Sequence, residues 1–273
     1  MAYRVIALDL DGTLLNQQKK ILPESLAALA LARRQGVKVV IVTGRHHSAI
    51  HPFYQALELD TPAICCNGTY LYDYQAGRAS DANPMSAEQA KKVLKLLQRF
   101  DIHGLMYADD AMYYQYPTGH VVRAQAWASS LPESQRPSFR QVDDLARQAD
   151  SSLSIWKFAT HHANVATLND FAGIVEQELG LACEWSWLDQ VDIAQTGNSK
   201  GKLLRKWVES QGLDMSEVIA FGDNFNDLSM LENSGLGVAM GNSADEVKAH
   251  ADLVIGSNEE PVIAEVIQAR VLG

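Results

Sequence analysis

Three short apolar runs, each ending in a polar turn and followed by an amphipathic stretch, set the architecture of this chain. The first is Val5-Ile6-Ala7-Leu8, which leads into Asp9-Leu10-Asp11-Gly12-Thr13. The second is Val37-Lys38-Val39-Val40-Ile41-Val42, which leads into Thr43-Gly44-Arg45. The third, Val218-Ile219-Ala220-Phe221, leads into Gly222-Asp223-Asn224-Phe225-Asn226-Asp227. Runs this short and apolar suit strands buried on both faces. Segment 22–35 carries Leu26, Leu29, Ala30 and Ala32 at helical spacing, and Gly36 stands where a helix ends. Strands alternating with helices at this pitch predict a parallel sheet with right-handed crossovers, and Pro62-Ala63-Ile64-Cys65-Cys66 reads as its next strand.

The pattern changes near Pro84. A helix over 86–100 precedes aromatic-rich strands at 104–107 and 112–115, a helical stretch near 120–130 and a proline-bearing loop at 131–138. A strand at 154–159, a helix at 165–180 and a strand at 182–187 complete a second α/β block. The first pattern returns after Val191-Asp192-Ile193, with a helix over 199–211. The expectation is a Rossmann-like α/β core, 1–83 and 190–273, interrupted by an α/β cap domain, 84–189. Hinges are expected near Asn83-Pro84 and Trp187-Leu188-Asp189. A chain of 273 residues has room for both domains.

Composition narrows the partners. A net charge of −10 repels polyphosphate backbones, which argues against nucleic acid. No run approaches the roughly 18 apolar residues of a membrane span. The N-terminus meets Asp9 too early for a signal peptide, and Cys65, Cys66 and Cys183 read as reduced thiols. A cytoplasmic location is expected. Oligomeric state is not legible.

The chemistry concentrates at strand ends. Strand periodicity would point Asp9 and Asp11 the same way, so that two carboxylates share a small volume. Thr43-Gly44-Arg45 offers an anion a hydroxyl, an unhindered N–H and a cation. Asn198-Ser199-Lys200-Gly201 opens a helix, with Ser199 or Asn198 as N-cap and with Lys200 opposing the helix dipole. Asn226 or Asp227 would cap 228–231. The carboxyl edge of an open α/β sheet is where ligands bind. The carboxylates of Asp9, Asp11, Asp223 and Asp227 outnumber the cations of Arg45 and Lys200, so a divalent cation is needed before a phosphate dianion approaches. Oxygen ligands without His or Cys suit Mg²⁺.

These motifs, in this order, resemble the haloacid dehalogenase superfamily of phosphohydrolases. The insert after the second motif, Asn67-Gly68-Thr69 and Ser199-Lys200-Gly201 are similar to its Cof-type branch, which has a C2B-type cap. The likeness implies Asp9 as nucleophile and Asp11 as general acid/base. It implies Mg²⁺ held by Asp9, Asp11 (through its main-chain carbonyl) and Asp223, and a phosphoryl group gripped by Leu10, Thr43, Gly44, Lys200 and Asn226. Asp9 would stay ionised, and Asp11 would favour its protonated form in the closed site. Segments 43–47, 62–72 and 183–187 further resemble bacterial pyridoxal phosphatases. They imply a small phosphorylated metabolite as partner, pyridoxal 5′-phosphate above all, with a broad sugar-phosphate phosphatase or a phosphohexomutase as alternatives. Tyr107, Tyr113, Tyr114, Trp156, Trp185 and Trp187 crowd the cap, as does His120, and read first as packing residues.

Overall fold

The computed structural model describes residues 3–117 and 119–273; the side chains of His120 and Trp187, both singled out above, lie outside the described residues. The chain divides into two compact units. The first comprises the chain up to Arg45 together with His51–Asp81 and Ser199–Gly273, and the second comprises His46–Ile50 and Ala82–Asn198. Among the described residues no helix is long and apolar enough to cross a membrane.

The first unit is built on a five-stranded parallel sheet. Its strands lie in the order Leu253–Val254, Leu236–Ala239, Val218–Gly222, Val5–Leu8 and Lys38–Ile41. Val5–Leu8 lies between Val218–Gly222 and Lys38–Ile41, and all four of its residues are fully buried, as its unbroken apolar sequence requires. Helix Pro23–Arg34 begins on a proline, which needs no N–H partner in the first turn, and packs its Leu29 and Ala32 inward. Because the strands are parallel, the polar turns after Leu8, Ile41 and Gly222 emerge at one edge. That edge carries the site.

The strand expected at 62–66 has a double allegiance. Ile64 makes a parallel bridge to Val42, and its carbonyl accepts from Thr43 N at 2.9 Å. Yet Ala63–Cys65 is also the first arm of an antiparallel sheet with Tyr70–Asp73 and Arg78–Ser80. The chain reverses because Cys66 and Asn67 take left-handed backbone angles, φ +50° and +56°.

The second unit holds a six-stranded sheet in the order Leu181–Trp187, Gln190–Gln195, Ile155–His161, His103–Ala108, Met112–Tyr114 and Phe139–Gln141. Helices Ala87–Arg99 and Val165–Leu179 cover one face, where Val93, Met106, Phe158, Leu168, Phe171 and Ile193 form the core. Two boundaries differ from the sequence reading. Gln190–Gln195, expected to rejoin the first domain, pairs antiparallel with both Leu181–Trp187 and Ile155–His161. Residues 188–189 are therefore a hairpin turn inside the second unit, and the chain leaves that unit only after Asn198. His46–Ile50 joins the second unit as well, with His46 Nε2 at 2.6 Å from the Ala108 carbonyl. The last arm, Phe139–Gln141, and helix Leu145–Ala149 lie beyond the expected loop and were not anticipated.

A buried ion pair stands on this sheet. Lys157 Nζ donates to Asp192 Oδ2 at 2.5 Å, with both side chains almost inaccessible. Asp192→Ala should cost about 3–5 kcal/mol, because it leaves an ammonium buried without its counter-ion. The double change Lys157→Met with Asp192→Leu should recover most of that loss. Thermal melts of both variants measure this, and an unchanged Tm in Asp192→Ala would contradict it.

Candidate active site

Asp9 follows the last residue of the opening strand, and its N–H donates to the Phe221 carbonyl at 3.1 Å, which ties it to the neighbouring strand. Its Oδ1 accepts from Lys200 Nζ at 2.7 Å. The same ammonium donates to Asp227 Oδ1 at 2.6 Å. Lys200 and Asp227 are both fully buried. Lys200 sits in the first turn of helix Lys200–Ser210, whose N-cap Ser199 accepts from Lys202 N at 3.2 Å. The unfavourable placement of that cation against the helix dipole is explained by the two carboxylates it joins.

Asp227 has a different task from the one read in the sequence. Its side chain does not cap Leu228–Leu231. Its Oδ2 instead accepts from Asp223 N at 2.9 Å and Asn224 N at 3.0 Å, which fixes the turn that presents Asp223. Asp223 Oδ1 accepts from Thr13 Oγ1 at 2.7 Å. Gly12 stands opposite at φ +83°, and a Cβ there would come within 2.2 Å of Asp223 Oδ2. Only glycine fits on both counts.

Asp9, Asp223 and Asp227 bring carboxylate oxygens within 4.8 Å of one another. Three carboxylates thus face one ammonium, an arrangement that could hold a metal ion. Burial raises the pKa of Asp9 well above the ordinary carboxylate range. Lys200 opposes that rise, and Asp227 and Asp223 add to it. Burial and the nearby Asp227 push Asp223 up to about 7. For Lys200 burial favours the neutral form, but Asp227 and Asp9 outweigh it and hold the amine well above its usual value.

Asp11 parts company with Asp9. The strand stops at Leu8, and the chain turns through Thr13 N to the Leu10 carbonyl at 3.3 Å and Leu15 N to the same carbonyl at 2.8 Å. Period-two alternation does not extend past the strand, so the two carboxylates meet different partners. Arg45 Nε donates to Asp11 Oδ2 at 2.5 Å and Arg45 Nη2 to Oδ1 at 2.7 Å. Lys19 Nζ also donates to Oδ1, at 2.7 Å. Burial would raise the pKa of Asp11, but Arg45 and Lys19 together overcome it and hold the carboxyl well below the usual range. In this state Asp11 is the carboxylate paired with two cations, whereas the protonated form was expected of it in the closed site, and burial pushes Asp9 the other way.

The turn at Thr43-Gly44-Arg45 is braced from a neighbouring loop. Asn67 N donates to the Thr43 carbonyl at 3.0 Å and Cys66 N to the Arg45 carbonyl at 3.1 Å. Asn226 Nδ2 donates to Asn67 Oδ1 at 3.1 Å, and its own Oδ1 is buried without a hydrogen-bond partner. A Cβ on Gly44 would lie 2.7 Å from Asn67 Oδ1, so Gly44 permits this approach. The fold thus gathers Thr43, Gly44, Asn67 and Asn226 in one cluster and Asp9, Lys200, Asp223 and Asp227 in another. Leu10 is buried through its side chain, so only its main chain can serve a ligand. Sequence reasoning had not put Asn67 or Lys19 in the site. The Asn67-Gly68 pair after a strand was the available signal for the first.

Comparison with known proteins agrees with this geometry. A family model described as haloacid dehalogenase-like hydrolase matches residues 6–267. The chain is 59% identical over 272 residues to pyridoxal phosphate phosphatase YbhA of Escherichia coli strain K12, covering all of both chains. It is 29% identical over 270 residues to 5-amino-6-(5-phospho-D-ribitylamino)uracil phosphatase YitU of Bacillus subtilis, covering 97% of this chain and 96% of that one. Among solved structures, a haloacid dehalogenase-like hydrolase from Bacteroides thetaiotaomicron superposes with a TM-score of 0.86 at 26% identity, covering 98% of this chain and 99% of the other.

Proposed function

The chain belongs to the haloacid dehalogenase-like hydrolases, and from that premise we propose that it hydrolyses phosphate monoesters of small metabolites, with pyridoxal 5′-phosphate as its substrate. The observation that carries the chemistry is Asp9 held at the sheet edge by a fully buried lysine. The substrate follows from 59% identity to a pyridoxal phosphate phosphatase across both whole chains.

Asp9 is the nucleophile. Its oxygen not bonded to Lys200 forms a bond to phosphorus as the bond from phosphorus to the leaving oxygen breaks. Asp11 delivers a proton to that leaving oxygen, and the alcohol departs. Water then attacks phosphorus, Asp11 takes its proton, and the bond from Asp9 to phosphorus breaks to release inorganic phosphate. The cations on Asp11 keep it ionised until substrate arrives; the phosphoryl dianion then raises its proton affinity as any like charge does, and Asp11 takes up a proton from solvent before it delivers one to the leaving oxygen. Thr43, the Gly44 N–H, the Leu10 main chain, Lys200 and Asn226 grip the phosphoryl oxygens. Positioning and positive charge supply most of the acceleration in such transfers.

The donor set fits Mg²⁺: hard oxygens only, crowded enough that burial and mutual repulsion raise Asp9 and Asp223. Asp9, Asp223 and the Asp11 main-chain carbonyl would hold it. Both oxygens of Asp227 are already engaged by Lys200 and by backbone N–H groups, so Asp227 braces the set. When bound, Mg²⁺ supplies the charge that lets a dianion approach three carboxylates.

A panel of phosphorylated metabolites, assayed with Mg²⁺ and with EDTA and ranked by kcat/KM, tests the proposal. Pyridoxal 5′-phosphate should rank first, and EDTA should remove activity. Sugar phosphates ranking above it would overturn the substrate. Conversion of a hexose 1-phosphate to its 6-phosphate would overturn hydrolysis in favour of a mutase.

A further inference from the structure

Lys19 reaches Asp11 from a loop that is itself built for the purpose. Residues 16–20 form a tight turn in which Asn16 Oδ1 accepts from Gln18 N at 3.1 Å and Lys20 N at 2.9 Å. Lys19 N donates to the Asn16 carbonyl at 2.9 Å, and Lys19 holds a left-handed backbone, φ +58°. A side chain with a Cβ adopts that conformation at a cost, so something must hold it there. Three residues from the far end of the sequence tie down the chain that leads into it. Asn242 Nδ2 donates to the Gly12 carbonyl at 2.9 Å, Asn258 Nδ2 to the Leu15 carbonyl at 2.8 Å, and Gln17 N to Glu259 Oε1 at 2.7 Å. Asn258 N in turn donates to Asn242 Oδ1 at 3.1 Å, linking the clamp.

The effect on Asp11 is selective. Oδ1 accepts from both Arg45 Nη2 and Lys19 Nζ, which occupies its two lone pairs. Among the described residues Oδ2 accepts from Arg45 Nε alone, which leaves one lone pair open. We propose that Lys19 is a positioning residue for proton transfer, which by closing Oδ1 makes Oδ2 the oxygen that passes the proton, and that Asn242, Asn258 and Glu259 set it in place. This deepens the phosphatase reading and rests on it. In the first half of the reaction the proton leaves Oδ2 for the departing oxygen; in the second it returns to Oδ2 from the attacking water.

Leaving-group dependence separates this role from a structural one. Pyridoxal 5′-phosphate expels an alkoxide that needs a proton, whereas p-nitrophenyl phosphate expels a phenolate that scarcely does. Lys19→Met should lower kcat/KM for pyridoxal 5′-phosphate about 100-fold, the scale of a misplaced proton donor. The loss on p-nitrophenyl phosphate should be under about fivefold, since it forgoes the proton step. Lys19→Arg should recover most of the activity. Asn258→Ala should act in the same direction more weakly and add little to Lys19→Met, as expected for residues in one network. The Lys19 side chain is 39% exposed, so its loss leaves the core intact. Equal losses on the two substrates, or no loss on either, would overturn the proposal. A wild-type enzyme that cleaves p-nitrophenyl phosphate but not pyridoxal 5′-phosphate would overturn the substrate instead, and the comparison would then be made with glucose 6-phosphate as the alkyl ester.

Discussion

Asp9→Asn should lose at least about 10⁴-fold in kcat, since on the proposed mechanism it removes the covalent nucleophile and leaves only binding and electrostatic help. The amide has the shape of the carboxylate but cannot form the bond to phosphorus. Phosphate trapped covalently on Asp9 in the wild type, seen by mass spectrometry of quenched enzyme and absent from the variant, is the direct check. An adduct on another side chain would remove Asp9 from the mechanism. The fold should survive, and the sign of the pH effect can be worked out. Burial, Asp227 and Asp223 raise the pKa of Asp9 in the folded state. A carboxyl with a raised folded-state pKa binds its proton more tightly folded than unfolded. Metal-free wild type therefore loses stability as pH rises from the ordinary carboxylate range through that raised value. Asn carries no titrating proton, so the decline of Tm with pH should be shallower in the variant.

Lys200→Met should lower kcat/KM by about 10³-fold or more, because the change removes a buried cation where charge on the phosphoryl oxygens must be met. It should also lower stability by about 3–5 kcal/mol, the scale for leaving a buried charge unpaired. Asp9 and Asp227 would then face each other without the ammonium that each contacts, at 2.7 Å and 2.6 Å. Lys200→Arg should not restore activity, since the ammonium site is fully enclosed and a planar guanidinium does not fit a point-charge position. A Lys200→Met enzyme with wild-type Tm and turnover would show that neither contact matters.

The alternation of apolar strands with amphipathic helices was legible because periodicity is local: four buried residues at Val5–Leu8 and a helix starting at a proline are written in adjacent letters. The same holds for Asp9, Thr43 and Asp223, since a polar residue that ends a parallel strand arrives at the sheet's carboxyl edge whatever the rest of the chain does. Pairing across long separations is another matter. Thr13 with Asp223, Lys200 with Asp9, and Asn258 with the Leu15 carbonyl join residues some two hundred positions apart. Gln190–Gln195 likewise chose its sheet by the neighbours it met, and nothing in its own alternation favoured one sheet over the other. The sequence by itself determined which residues stand at the edge and therefore the kind of chemistry available. Tertiary structure alone decided that Asp11 turns from Asp9 to Arg45 and Lys19, and that Asp227 fixes the turn at Asp223 and Asn224 and does not cap Leu228–Leu231. The reason is that a carboxylate's direction and proton affinity are set by the charges around it, and those charges are brought there by the fold.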